Sequence, residues 1–173
     1  MVNSMSESQT LFLIDGHALA YRTYFALTTS GFQGTSSHGE PTAAVFGFTS
    51  VLLRLLEKEQ PDYLAVSFDV GKTFRDEMFP DYKATREKMP DDLRPQIKRI
   101  QEVVDSFNIP IFVKEGYEAD DVLGSLSRIA VKHNVHVVIV TGDRDLLQLV
   151  NDNVSVSLPG KSLSDAKLYT PKD

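Results

Sequence analysis

Short apolar runs alternate along the chain with longer stretches in which apolar residues recur every three or four positions. The short runs predict four strands and a weaker fifth one, near residues 10–14, 63–68, 109–113, 136–140 and 153–158. The longer stretches predict helices over residues 42–59, 93–107 and 118–133. Strands that alternate with helices are typical of parallel βαβ units, so the pattern predicts an α/β fold.

The rest of the chain is less regular. Residues 25–41 are rich in glycine, proline and small polar residues and predict a long loop, and residues 71–90 are a second irregular stretch. Long loops in compact domains are usually functional or mobile. Residues 1–9 are polar and predict a flexible N-terminal tail. Residues 10–173 are long enough for one domain with a substantial core.

Acidic residues stand where predicted strands end or where the helix over 118–133 begins. They are Asp15, Asp69, Glu118, Asp120, Asp121, Asp143 and Asp145. Taken singly, each is readily explained as a turn residue or a helix cap. Together they converge on the edge where the carboxyl ends of parallel strands meet. Because carboxylates gathered there repel one another, a divalent cation held by oxygen ligands is the simplest explanation.

Composition excludes several kinds of protein and of metal site. The chain has no cysteine, which excludes disulfides and thiolate metal sites and suits the cytoplasm, and it has no apolar run long enough to span a membrane. Its net charge of −6 argues against a simple nucleic-acid-binding protein. Residues 71–100 nevertheless hold more basic than acidic side chains, so a polyanionic substrate beside a metal site is compatible with the charge.

Several other motifs do not match the functional sites that they partly resemble. Gly71-Lys72-Thr73 lacks the upstream glycine of a phosphate-binding loop, because Val66 stands in its place. The four histidines have no zinc spacing, and His17 is best explained as a loop residue with a backbone partner. The lone Asp15 at the first strand argues against a phosphatase of the HAD type, which uses an Asp-x-Asp pair.

Five segments resemble a known family. They are residues 13–22 (LIDGHALAYR), 68–75 (FDVGKTFR), 82–86 (YKATR), 116–123 (GYEADDVL) and 141–149 (TGDRDLLQL). In order and spacing they resemble the 5′-3′ exonuclease domain at the N-terminus of bacterial DNA polymerase I, a member of the flap-endonuclease family with a PIN-like fold. The resemblance covers residues 10–173 and implies a three-layer fold around a central, mainly parallel, twisted sheet.

The same resemblance implies an activity. It points to Mg²⁺- or Mn²⁺-dependent hydrolysis of DNA phosphodiester bonds at 5′ flaps, nicks and RNA primers during replication and repair, in the nucleoid-associated cytoplasm. All seven acidic residues match metal-binding positions of the family. We expect Asp15, Asp69, Glu118, Asp120 and Asp143 around a first ion and Asp121 and Asp145 toward a second.

Basic and aromatic residues match the positions where the family handles DNA. The resemblance implies DNA contacts by Tyr21, Arg22, Lys72, Arg75, Tyr82, Lys83 and Arg86. We expect Arg75 and Lys83 to have catalytic roles as well, by neutralising charge on the reacting phosphate.

The family's sequence continues beyond residue 173. It goes on into two further aspartates and a helix-hairpin-helix module, and in the parent protein into polymerase domains. The expectation is therefore a fragment with an impaired second metal site. Two alternatives stay open: a PIN-type ribonuclease, and a catalytically inactive DNA-binding fragment.

Overall fold

The computed structural model describes residues 9–79, 81–83, 88–160 and 165–173. Within them, the strands are β1 (Thr10–Asp15), β2 (Tyr63–Ser67), β3 (Ile111–Phe112), β4 (His136–Val140), β5 (Val154–Pro159) and β6 (Ala166–Tyr169). The α-helices are α1 (Gly16–Thr29), α2 (Ala43–Lys58), α3 (Phe74–Met78), α4 (Arg94–Ser106) and α5 (Ala119–Lys132), and a 3₁₀ helix covers Asp145–Leu149.

The six strands form one sheet in the order β3-β2-β1-β4-β5-β6. All neighbouring strands run parallel except β5 and β6, which are antiparallel. In register, Asp15 at the end of β1 lies opposite Ser67 of β2, and Ile14 lies opposite Val140 of β4. The first, second and fourth strands therefore end together, at the same edge of the sheet.

Helices cover both faces of the sheet, so the predicted three-layer α/β architecture is confirmed. Alternate β1 side chains point to opposite faces, as a strand requires: Phe12 and Ile14 join the core under α1, α2 and α4, and Leu13 joins the core under α5. The chain thus changes face between β1 and β4, which are neighbours in the sheet. Such a switch point opens a crevice at the carboxyl ends of the strands, where α/β proteins bind ligands.

The structure differs from several local predictions. The predicted loop 25–41 begins too early, because α1 continues to Thr29, and the irregular stretch 71–90 contains the short helix α3. The third strand is only Ile111–Phe112, and β6 was not predicted. Gln9, assigned to the tail, is bound to the sheet, since its carbonyl accepts a hydrogen bond from the His136 N–H at 2.8 Å.

In the part of the chain that the structure describes, no helix has the length and apolar character needed to cross a membrane.

Candidate active site

Asp15 lies at the switch point and is 4 % exposed. It ends β1 and caps α1: Oδ1 accepts a hydrogen bond from the Ala18 N–H at 2.9 Å, and Oδ2 accepts one from the Thr141 hydroxyl at 3.0 Å. Burial raises the pKa of Asp15 to about 6, and repulsion from Asp69 and Asp143 acts in the same direction, against the two hydrogen bonds. A buried carboxyl group with acidic neighbours is stabilised either by a proton or by a nearby cation.

Asp69 follows β2 and is attached to two helices. Its backbone N–H donates to Nδ1 of His17 in α1 at 3.1 Å, and its Oδ1 accepts a hydrogen bond from the Ala119 N–H of α5 at 2.6 Å. Gly16 lets α1 approach this loop, because a Cβ there would lie 2.3 Å from the ring of Phe68. The side chain of Asp69 is 44 % exposed, so it stands at the mouth of the site rather than in the core.

Three acidic residues surround the N-terminus of α5. Glu118 and Asp121 form a capping box, in which each side chain accepts from the backbone N–H of the other, and this places both carboxylates at the start of the helix. Lys83 Nζ lies 2.8 Å from Glu118 Oε1, and the Tyr82 hydroxyl donates to Oε2 at 3.2 Å. Arg75 binds both carboxylate oxygens of Asp121, which holds the pKa of Asp121 below its usual range.

Asp120 differs from its two neighbours. Its carboxylate makes no hydrogen bond or ion pair with the described part of the chain. Burial raises its pKa to about 7, and repulsion from Asp15, Asp143, Asp69 and Glu118 adds to the effect. The carboxylates of β1, of the loops after β2 and β4, and of the α5 terminus are therefore close enough to act on one another electrostatically.

The last two acidic residues of the predicted site, Asp143 and Asp145, follow β4. Thr141 accepts a hydrogen bond from the Asp143 N–H at 3.0 Å, and Asp143 Oδ1 accepts one from the Asp145 N–H at 2.9 Å. Gly142 allows this loop to press on α1, because a Cβ there would lie 2.7 Å from the Ala18 carbonyl oxygen. Asp145 itself is exposed at the start of the 3₁₀ helix.

A cavity of about 790 Å³ collects most of these residues. Its acidic lining is Asp15, Asp69, Glu118, Asp120 and Asp143, which are the five residues predicted for a first ion. Asp121 and Asp145, predicted for a second ion, do not line it. Aromatic and basic residues complete the lining: Tyr21, Arg22, Phe25, Lys83 and Lys88.

The other predicted DNA-binding residues are more scattered. Lys72 is exposed and does not line the cavity. Arg75 and Tyr82 are bound to the carboxylates at the start of α5 and do not line it either. Arg86 lies outside the residues that the structure describes. Phe25 and Lys88 line the cavity and were not singled out; the i, i+4 spacing of Phe25 from Tyr21 on a helix was the missed signal.

The carboxylates of the cavity are the ligands that the sequence predicts for a divalent metal. Carboxylate oxygens suit a hard cation such as Mg²⁺ or Mn²⁺. Burial and neighbouring acids raise the pKa of Asp15 and Asp120, which a bound cation would counteract. Among the described residues, however, no three Asp, Glu or His side chains stand close enough together to ligate one ion. The residues thus fit the cation in chemistry, whereas several of their oxygens are bonded to Lys83, Arg75 and the Ala119 N–H.

Comparisons with known proteins identify the family of the chain. The family model described as 5′-3′ exonuclease, N-terminal resolvase-like domain, matches residues 10–173. The DNA polymerase I of Chloroflexus aurantiacus is 56 % identical over 148 residues, which are 86 % of this chain and 16 % of that protein. The DNA polymerase I of Bacillus subtilis is 40 % identical over 169 residues, 97 % of this chain and 19 % of that protein. The chain thus spans less than a fifth of the length of either relative.

Solved structures support the fold. The T5 D15 protein co-crystallised with metal ions superposes with a TM-score of 0.67 at 22 % identity, over 94 % of this chain and 57 % of that one. Flap endonuclease-1 from Methanococcus jannaschii superposes with a TM-score of 0.59 at 19 % identity, over 94 % and 57 % of the two chains. The predicted family resemblance and fold are confirmed.

Proposed function

The chain belongs to the family of 5′-3′ exonuclease N-terminal, resolvase-like domains, and from that premise we propose that it is a structure-specific 5′ nuclease domain. Its substrate would be DNA with a 5′ flap, a nick or an RNA primer, and its reaction would be hydrolysis of a phosphodiester bond. The proposal rests above all on one observation: five carboxylates from four separate segments of the chain line one cavity together with basic and aromatic side chains.

The carboxylates are proposed to hold divalent cations, Mg²⁺ or Mn²⁺. The five that line the cavity would hold the first ion, and Asp121 and Asp145 would contribute to a second. When bound, such ions activate a water molecule and stabilise the leaving oxygen of an in-line displacement at phosphorus. The metal ions in solved structures of the T5 D15 protein and T5 5′-exonuclease support divalent-metal use, and the choice between Mg²⁺ and Mn²⁺ is part of the proposal.

The basic and aromatic residues that line the cavity are proposed to position the DNA. Tyr21 presents a ring on which an unpaired base can stack, and Arg22 and Lys83 can bind phosphate oxygens. Lys83 is bound to Glu118 in this structure, so a phosphate would have to compete with Glu118 for its ammonium group. Lys72 and Arg86 are proposed DNA contacts on the same family grounds, outside the cavity lining.

The whole parent protein is a proposal as well. The two DNA polymerase I relatives are five to six times longer than the matched part, which supports a parent chain that continues into a duplex-binding module and polymerase domains and works on DNA in the cytoplasm. Duplex contacts made by such a module would raise DNA affinity, because phosphate contacts supply much of it.

Cleavage of defined substrates tests the proposal. End-labelled duplex DNA with a 5′ flap, the same duplex without the flap, and single-stranded RNA would be incubated with the chain in Mg²⁺, in Mn²⁺ and in EDTA. We expect metal-dependent cleavage of the flap substrate first, abolished in Asp143→Asn, where the amide oxygen still accepts from the Asp145 N–H and preserves the loop. Preferred cleavage of the RNA would favour the ribonuclease, and binding without turnover in both metals would favour an inactive DNA-binding fragment.

A further inference from the structure

His17 makes a contact that the proposed reaction does not use. Its imidazole lines the acidic cavity, and Nδ1 accepts a hydrogen bond from the backbone N–H of Asp69 at 3.1 Å. Because Nδ1 is the acceptor, the proton of the neutral ring is on Nε2. The ring also packs edge-on against Phe68, with 5.5 Å between the ring centroids.

The Asp69 N–H lies beyond the paired part of the sheet. The registers of β1 with β2 and of β2 with β3 both end at Ser67, so the sheet supplies no acceptor for the N–H two residues later. His17 supplies it from the first turn of α1. The same turn is fixed by Asp15, which caps the helix through the Ala18 N–H.

Asp69 is thereby held at two points. Its backbone is bound to α1 through His17, and its carboxylate is bound to α5 through the Ala119 N–H at 2.6 Å. Loss of the first point would leave the Asp69 backbone attached only to a loop that turns at Gly71, where φ is +66°. The carboxylate would then sample a wider range of positions at the cavity mouth.

We propose that His17 is a positioning residue, whose Nδ1 fixes the Asp69 backbone so that the Asp69 carboxylate faces the divalent cation. This inference rests on the proposed function, since it assumes that Asp69 ligates a cation. Residues that orient metal ligands usually act in this way, by a hydrogen bond to the ligand rather than to the metal.

Asparagine and glutamine at position 17 form a matched pair of variants. In His17→Asn, Oδ1 is bonded to Cγ, as Nδ1 is in histidine, and can accept a hydrogen bond from the Asp69 N–H. In His17→Gln the amide oxygen lies one bond further from the backbone. Both variants remove the ring contact with Phe68, so a difference between them reports on the acceptor alone. The first measurement is amide hydrogen exchange at Asp69 in EDTA, which requires neither metal nor activity.

We expect faster exchange at Asp69 in His17→Gln than in wild type, with His17→Asn close to wild type. The second measurement is Mn²⁺ affinity by electron paramagnetic resonance, for which we expect a loss of about tenfold in His17→Gln and little loss in His17→Asn. In an Asp69→Asn background the same His17→Gln change should cost little more, because both residues act through one carboxylate.

The outcomes distinguish a failure of the proposed role of His17 from a failure of the proposed metal-dependent function. If wild type binds Mn²⁺ and the two variants match each other in exchange and in affinity, the positioning role of His17 is overturned and the proposed function stands. If wild type binds no Mn²⁺, the proposed metal-dependent function fails and this inference fails with it.

Discussion

Arg75 and Asp121 form a two-point ion pair in which Nη1 donates to Oδ2 at 2.6 Å and Nη2 donates to Oδ1 at 2.8 Å. Asp121 Oδ2 also accepts from the Glu118 N–H at 3.1 Å, so the pair attaches α3 to the capping box of α5. Both side chains are about three-quarters buried. Arg75 therefore holds the helix terminus that presents Glu118 and Asp120 to the cavity.

Arg75→Ala should lower the melting temperature. Loss of a charge-assisted, two-point pair of this burial costs about 1–2 kcal/mol, and each kcal/mol corresponds to about 2–4 °C for a chain of this size. The pKa of Asp121 is lowered by Arg75, so the pair's contribution is present above the unfolded pKa and is lost as pH falls through the folded one. Melting curves of the variant and wild type should begin to converge only below about pH 4 and should meet at still lower pH, and the exposed Lys72→Ala serves as control.

Asp120→Asn should stabilise the metal-free protein at pH 8. The folded pKa of Asp120, about 7, is above its unfolded value of 3.8, so the stability that its proton provides is complete below the unfolded pKa and lost as pH rises through the folded one. Asparagine carries no charge at any pH. In EDTA we expect a melting temperature higher by about 2–4 °C at pH 8 and no gain at pH 4, after allowing for solvent screening of a partly exposed group.

The exposed Asp152→Asn is the matched control for this charge change. It should not alter the melting temperature at either pH. A lower melting temperature for Asp120→Asn at pH 8 would show that the carboxylates do not repel one another as the structure indicates.

Lys83→Met should impair cleavage more than folding. Methionine keeps an apolar side chain of similar length and removes the ammonium group that binds Glu118 at 2.8 Å. Because the Lys83 side chain is 37 % exposed, this ion pair contributes at most about 1 kcal/mol to stability. Cleavage of a 5′-flap substrate should fall by roughly a hundredfold if Lys83 stabilises charge on the phosphate. A large drop in melting temperature with cleavage preserved would show a structural role instead.

Gly142→Ala should destabilise the loop that carries Asp143. The added Cβ would meet the Ala18 carbonyl oxygen at 2.7 Å, a backbone atom that cannot move without α1, and overpacking of this kind costs about 1–3 kcal/mol. Gly124→Ala is the matched control, since its Cβ lies 3.7 Å from Leu149 in the interior of α5. That change should raise stability by about 0.5–1 kcal/mol, as measured by urea unfolding. Equal effects of the two changes would contradict the close packing at Gly142.

Much of the fold could be predicted because its central strands β1, β4 and β5 are short, apolar and mostly buried. The run at 10–14 becomes β1, and the acids that follow each strand lie at one edge, as a parallel sheet requires. Helix α1 was not among the predicted helices, and its last residues lie in the stretch predicted as a loop. Its threonine hydroxyls are bonded within the helix: Thr23 Oγ1 donates to the Leu19 carbonyl at 3.0 Å and Thr28 Oγ1 to the Tyr24 carbonyl at 2.8 Å.

Pairings between distant residues could not be predicted. Lys83 lies 35 positions from Glu118, and His17 lies 52 positions from Asp69. Nothing in local periodicity indicates which base meets which acid, because that depends on how the loops after β2 and before α4 fold over the sheet edge. The acidic cluster was visible in the sequence, whereas its bonds to basic and backbone groups were not.

A crystal structure of the chain grown with Mn²⁺, with anomalous diffraction measured for manganese, tests the central claim most directly. We predict an anomalous peak inside the cavity between Asp15, Asp120 and Asp143, at about 2.0–2.3 Å from carboxylate oxygens, and its loss in Asp120→Asn. A wild-type structure at millimolar Mn²⁺ with peaks only outside this cavity would contradict the account.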